Sequence, residues 1–184
     1  MQVARLLNEH AKLRSLGGIL VALVSSPEPC DWATLAKRRW ELARMVHQHL
    51  AYEDRQLFQR LADDPRREFQ EAAREGRRGI ERLHSLYKTH VERWTETEVT
   101  ADWPEFQAAV KTMVMRMTLK LDREEQDLFP LIAGEPELAP RWQPGTRNWA
   151  GDGMAMQPLI TASSNARPTH LSDVGKKPLN GQSR

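Results

Sequence analysis

The sequence predicts an all-α protein, an up-down-up-down four-helix bundle followed by an irregular C-terminal tail. Three observations carry this. Apolar residues recur at helical spacing through four long stretches, and the connections between them are short and rich in helix-stopping residues. Val and Ile are too few for a large sheet in a chain of 184 residues that is 40% hydrophobic and 28% charged. From Gly134 onward the text changes: six of the eleven prolines and six of the ten glycines fall there, with no sustained period.

The first helix is expected from about Gln2 to Val24, because Pro27 and Pro29 in the Ser-Ser-Pro-Glu-Pro turn cannot continue it. The second runs from about Asp31 to Ala62. Asp64 followed by Pro65 reads as an N-cap with proline in the first turn, opening a third helix that reaches about Thr95. Asp102 with Glu105 three residues later is a capping-box variant that opens the fourth, which ends near Ala133 before Gly134. Three short connections between long helices imply antiparallel neighbours. The domain is therefore 1–133, and the tail, 134–184, is expected to be largely irregular and disordered past about Ala162, with Trp142 and Trp149 available to dock on the bundle.

Composition narrows the function. Net charge is +2, and six Lys/Arg against four Asp/Glu in the tail account for the whole excess, so no nucleic-acid or membrane partner is expected. Cys30 is the only cysteine, which excludes an internal disulfide and a thiolate-rich metal site and fits a reducing compartment. The apolar run Ile19 to Val24 is too short to span a membrane, so a cytoplasmic location is expected.

Polar residues of metal-ligating type interrupt the inward stripes. The first helix has Val3, Leu6, Leu7, Leu13, Gly17 and Leu20 with His10 among them. The second has Leu42, Met45, Val46, Leu50 and Leu57, with His49 and Glu53 four residues apart on the same face. The third carries His84 between Ile80 and Tyr87, and the fourth carries Lys120 and Glu124 beside Met117, Leu121 and Leu128. Glu53 and Glu124 also lie in a near-repeat. HLAYEDRQLF at 49–58 and KLDREEQDLF at 120–129 align at an offset of 71 and share Leu, Glu, Leu and Phe. Burying an ionised carboxylate is costly unless a cation or several donors meet it, so two on facing stripes point to a metal.

Counting from the turns puts His10 and His49 at matching heights within one helical turn, whereas His84 and Lys120 differ by about 10 Å, a gap that shrinks if the third helix continues through Glu98. His47, His90 and His170 are expected on the surface or in the tail without a role, and Asp54 and Glu125 are expected to be solvated. Met113, Met115 and Met117 read as core packing.

The order His10, His49 with Glu53, His84, and a carboxylate before Leu-Phe-Pro resembles the hemerythrin-like HHE cation-binding domains, as do the opening LLNEH and the closing EEQDLFPLI. The resemblance covers residues 1 to 133. It implies a four-helix bundle around non-heme iron, one or two ions, with His10, His49 and His84 as terminal ligands and Glu53 and Glu124 as bridges. The chain departs from the pattern at Lys120, where the family has a histidine, and at Lys88, where classical hemerythrins have a second histidine on the third helix. A buried ammonium beside a metal pair is electrostatically unfavourable, so Lys120 either loses its charge or replaces an ion.

Three readings follow. The first is a protein that binds or senses oxygen or nitric oxide at iron, or handles iron. The alternative is a degenerate, metal-free bundle acting as a regulatory or interaction module, with a protein partner engaged through the tail. The third is redox or peroxide chemistry at a carboxylate-rich centre.

Overall fold

The computed structural model describes residues 2–135 and 146–163, and among these it contains helices and no strand. Helix α1 (Gln2–Val24) ends before the proline turn as expected. Asp31 caps α2 (Trp32–Glu53) by accepting the Thr34 N–H at 2.9 Å. The chain then passes through a wider π-helical turn, Asp54–Phe58, into α3 (Gln59–Asp63). Helix α4 (Arg67–Arg93) starts two residues later than Asp64-Pro65 implies. Asp64 is not its cap: the Asp64 carboxylate accepts the Arg66 N–H and guanidinium instead, closing a tight bend.

After Trp94 the chain forms a separate short helix, α5 (Glu96–Ala101), capped by Thr95. Asp102 then caps α6 (Trp103–Arg123) by accepting the Glu105 N–H. A second π-helical turn, Glu124–Leu128, leads into α7 (Phe129–Ile132). The two π turns fall in the two near-repeated phrases, each beginning at or just after the singled-out glutamate. The extra residue per turn turns successive side chains inward together, so Leu57 with Phe58 and Leu128 with Phe129 are all buried.

Cross-helix contacts fix the directions. Glu9 in α1 meets His49 in the second half of α2, while Gln107 near the start of α6 reaches the Val24 carbonyl at the end of α1. Arg39 of α2 donates to the Trp94 carbonyl past the end of α4, while Arg77 in the first half of α4 meets Asp54. Arg93 of α4 pairs with Glu105 of α6. Each neighbour is thus antiparallel, and Leu6, Leu13, Leu20, Leu42, Leu50, Ile80, Phe106 and Met117 fill the centre at 0–1% exposure. Each such side chain contributes roughly 1.5–3 kcal/mol on burial. Leu7, expected on the inner stripe, is instead 44% exposed. No described helix is long and apolar enough to cross a membrane.

The tail is helical over α8 (Trp149–Ala155) and α9 (Gln157–Thr161), both lying against α2, which differs from the irregular segment expected there. Docking explains the difference. Trp149 is buried and its indole N–H donates to Asp54 at 3.0 Å, Ile160 is fully buried, and Asn148 caps α8 through the Gly151 N–H. Gly153 lets α8 approach closely, since a Cβ there would stand 2.4 Å from the His47 Cβ. The expectations for Trp142, for His170 and for disorder past Ala162 lie outside the described residues.

Two helix-interior glycines of α4 separate packing from propensity. A Cβ on Gly76 would meet the buried Phe58 ring at 2.1 Å, whereas one on Gly79 would meet only the Lys120 Cε at 3.8 Å. Gly76→Ala is expected to destabilise by ~1–3 kcal/mol through overpacking, and Gly79→Ala to stabilise by ~0.5–1 kcal/mol through helix propensity. Urea denaturation midpoints check both signs.

Candidate metal centre

Four of the five expected ligands come together. His10 from α1, His49 and Glu53 from α2, and Glu124 at the end of α6 each offer a donor atom, and the four atoms lie within 4.8 Å of one another. All four residues are buried. The near-repeat explains half of this, since Glu53 and Glu124 occupy equivalent positions just where each long helix widens.

Each imidazole is held from behind by a carboxylate of another helix. His49 Nδ1 lies 2.9 Å from Glu9 of α1, and His10 Nδ1 lies 2.8 Å from Glu125. Arg5 steadies Glu9 at 3.1 Å and Arg14 steadies Glu125 at 2.6 Å. A carboxylate can only accept, so both Nδ1 atoms carry hydrogen and both Nε2 atoms face the centre. There His10 Nε2 is 3.6 Å from Glu124 Oε2, and His49 Nε2 is 3.1 Å from Glu53 Oε1. His49 Nε2 and Glu53 Oε1 pair as ions while the ring is charged, and His10 Nε2 and Glu124 Oε2 are buried with no hydrogen-bond partner. Leaving buried polar atoms unpaired is costly, and one cation among the four would meet them together.

The other oxygen of each glutamate is taken. Lys120 Nζ lies 2.7 Å from Glu53 Oε2 and makes a second short contact with Glu124 Oε1. Burial acts to lower the Lys120 pKa, but Glu124 and Glu53 outweigh it and hold it above its usual value, so this is an ammonium. Burial would raise Glu53, yet His49 and Lys120 keep it well below the carboxylate range. Glu124 is pushed up to about 8 by burial and by the Glu53 charge. Burial opposes charge on His49 too, but Glu53 and Glu9 lift it to about 9, whereas burial and the His49 charge drive His10 down to about 4.

His84 stands apart. Its Nδ1 lies 3.2 Å from His47 Nε2, its Nε2 lies 3.1 Å from Arg147, and its ring packs edge-on against Trp149. Gly79 is the α4 residue beside Lys120, and five residues on, at 100° each, His84 has turned about 140° away. Nor is the height gap closed, because α4 stops at Arg93 and does not continue through Glu98. His47 and His90, expected on the surface, are buried, the first beneath α8 and the second beside Phe106. Asp54 is likewise buried and bonded to Trp149 and Arg77 rather than solvated. Glu125, expected to be solvated, is instead bonded to His10 and Arg14, and Glu9, which orients His49, carried no expected role. Their one signal is adjacency, since each neighbours a candidate ligand in LLNEH or EEQDLF.

The raised value of His49 means that its ring holds a proton at neutral pH which a metal has to displace. Zinc affinity is therefore expected to rise with pH by about tenfold per unit for each proton displaced, levelling once pH passes about 9. Competition titration against a chromophoric chelator reads this, and a flat profile would exclude His49 as a ligand.

No curated protein and no solved structure matches the chain. The family model described as Hemerythrin HHE cation binding domain matches residues 1–132, which contain all four converging ligands, and the chain belongs to that family.

Proposed function

We propose that this protein holds non-heme iron at His10, His49, Glu53 and Glu124 and offers it to oxygen or nitric oxide, in binding, sensing or iron handling rather than turnover. The observation that supports this is the set of four buried donor atoms, two imidazole nitrogens and two carboxylate oxygens, that converge within 4.8 Å of one another. Mixed imidazole and carboxylate donors suit first-row divalent ions. Iron held there would supply an open coordination position for a diatomic ligand.

The chain's own residues prepare that position. Glu9 and Glu125 fix both rings so that Nε2 points inward. The residues three or four places from the ligands, Leu6, Leu13, Val46, Leu57, Leu121 and Leu128, are buried apolar side chains that keep water out. Phe129 stacks on His10 with ring centroids 5.1 Å apart. A cytoplasmic setting accords with the single thiol, Cys30.

A second reading, a metal-free regulatory module, is favoured by Lys120, which already neutralises part of the buried acid. Iron content separates the two. Protein expressed with added iron and purified without oxygen is expected to retain it, to change its visible spectrum when nitric oxide is added, and to lose both properties in Glu53→Ala. Folded wild-type protein that retains no iron after reconstitution establishes the metal-free reading.

A further inference from the structure

We propose that Lys120 is a built-in cation occupying one of two cation positions between Glu53 and Glu124, so that the centre admits a single metal ion, on its His10/His49 side. This rests on the metal reading above. Each glutamate divides its oxygens in the same way. Glu53 Oε1 and Glu124 Oε2 face the imidazoles of His49 and His10, while Glu53 Oε2 and Glu124 Oε1 both meet Lys120 Nζ. Two carboxylates that each spend one oxygen on either side form a double bridge, and here one bridged position is filled by an ammonium.

The near-repeat says the same in sequence. At the offset of 71, Glu53 aligns with Glu124 and His49 with Lys120. One half of the pair thus presents an imidazole lone pair one turn before its glutamate, and the other half presents a positive charge. On the helix that faces Lys120, Gly79 lies across from it, 3.8 Å from the Cε at the position a Cβ would take, and the one carboxylate of that helix that lines the cleft, Glu75, is held by Arg82 at 2.6 Å.

Blocked access does not account for a missing second ion. Lys120 and Glu124 line the wall of a cleft of about 430 Å³ between α4 and α6, which Gly76 and Gly79 also border. Gly76 is required by the close approach of Phe58, but nothing crowds Gly79. A hydrated cation can therefore come up to the position from solvent. What excludes it is the side chain already there, whose Nζ stands between one oxygen of Glu53 and one of Glu124 and would have to be expelled before a second ion could take its place.

Isothermal titration of the apo protein with zinc, with bound metal counted by mass spectrometry, tests this. Wild type is expected to saturate at one zinc per chain. The double variant Lys120→His with Gly79→His, which removes the ammonium and gives α4 a donor in uncrowded space, is expected to take two. Wild type taking two overturns the inference and leaves the metal reading standing, as does a folded double variant that still takes one. Wild type taking none removes the metal reading and this inference with it. A wild-type measurement guards against a double variant that fails to fold: the side-chain ¹⁵N resonance of Lys120 is expected to stay protected from solvent exchange after one equivalent of zinc. Its loss at that point would show the ammonium displaced and the inference wrong.

Discussion

The constraint on which the rest of this structure depends is the burial of two glutamates in the middle of a helical bundle. Glu53 is wholly inaccessible and Glu124 nearly so, and an isolated carboxylate in such surroundings is far less stable than in water. The protein answers with two cations, Lys120 along α6 and the charged ring of His49 along α2, and with His10 Nε2 and Glu124 Oε2 facing the same opening. Outer residues follow from this. Glu9 and Glu125 orient the rings, and Arg5 and Arg14 hold those carboxylates, so a chain of alternating charge runs from the surface to the centre.

That alternation also ties the helices together. His10 joins α1 to the start of the second π turn through Glu125, His49 joins α2 back to α1 through Glu9, and Lys120 joins α6 to α2 through Glu53. Only α4 adds no charge to the centre; it contributes Gly79 beside Lys120 and turns His84 toward His47 and the tail. The bundle is thus polar at its centre on three helices and open on the fourth, which is where the cleft lies.

Much of this was legible in the sequence. Pro27, Pro29, Asp31 and Asp102 mark helix ends by chemistry that local residues decide alone, and the helices stop and start where those residues say. His10, His49, Glu53 and Glu124 were legible because a polar residue on an apolar stripe contradicts its surroundings. His84 was not, because its facing depends on the accumulated phase of a long helix with a broad stripe, and a turn of one residue moves a side chain by about 100°. The tail helices escaped because Gly151, Gly153 and Pro158 are poor helix formers. Their order comes from docking on α2, a tertiary effect, and the same docking buries His47 and Asp54. Glu9 and Glu125 look like ordinary surface acids until the partner helix is in place.

One metal beside one resident ammonium is what Glu53 and Glu124 are expected to hold. Anomalous diffraction from crystals of the wild-type protein grown with cobalt tests it most directly. The expected map has a single peak per chain among His10, His49, Glu53 and Glu124, with Lys120 still between the two glutamates. Two peaks bridged by Glu53 and Glu124 would contradict it, and so would an empty centre in crystals that carry cobalt elsewhere.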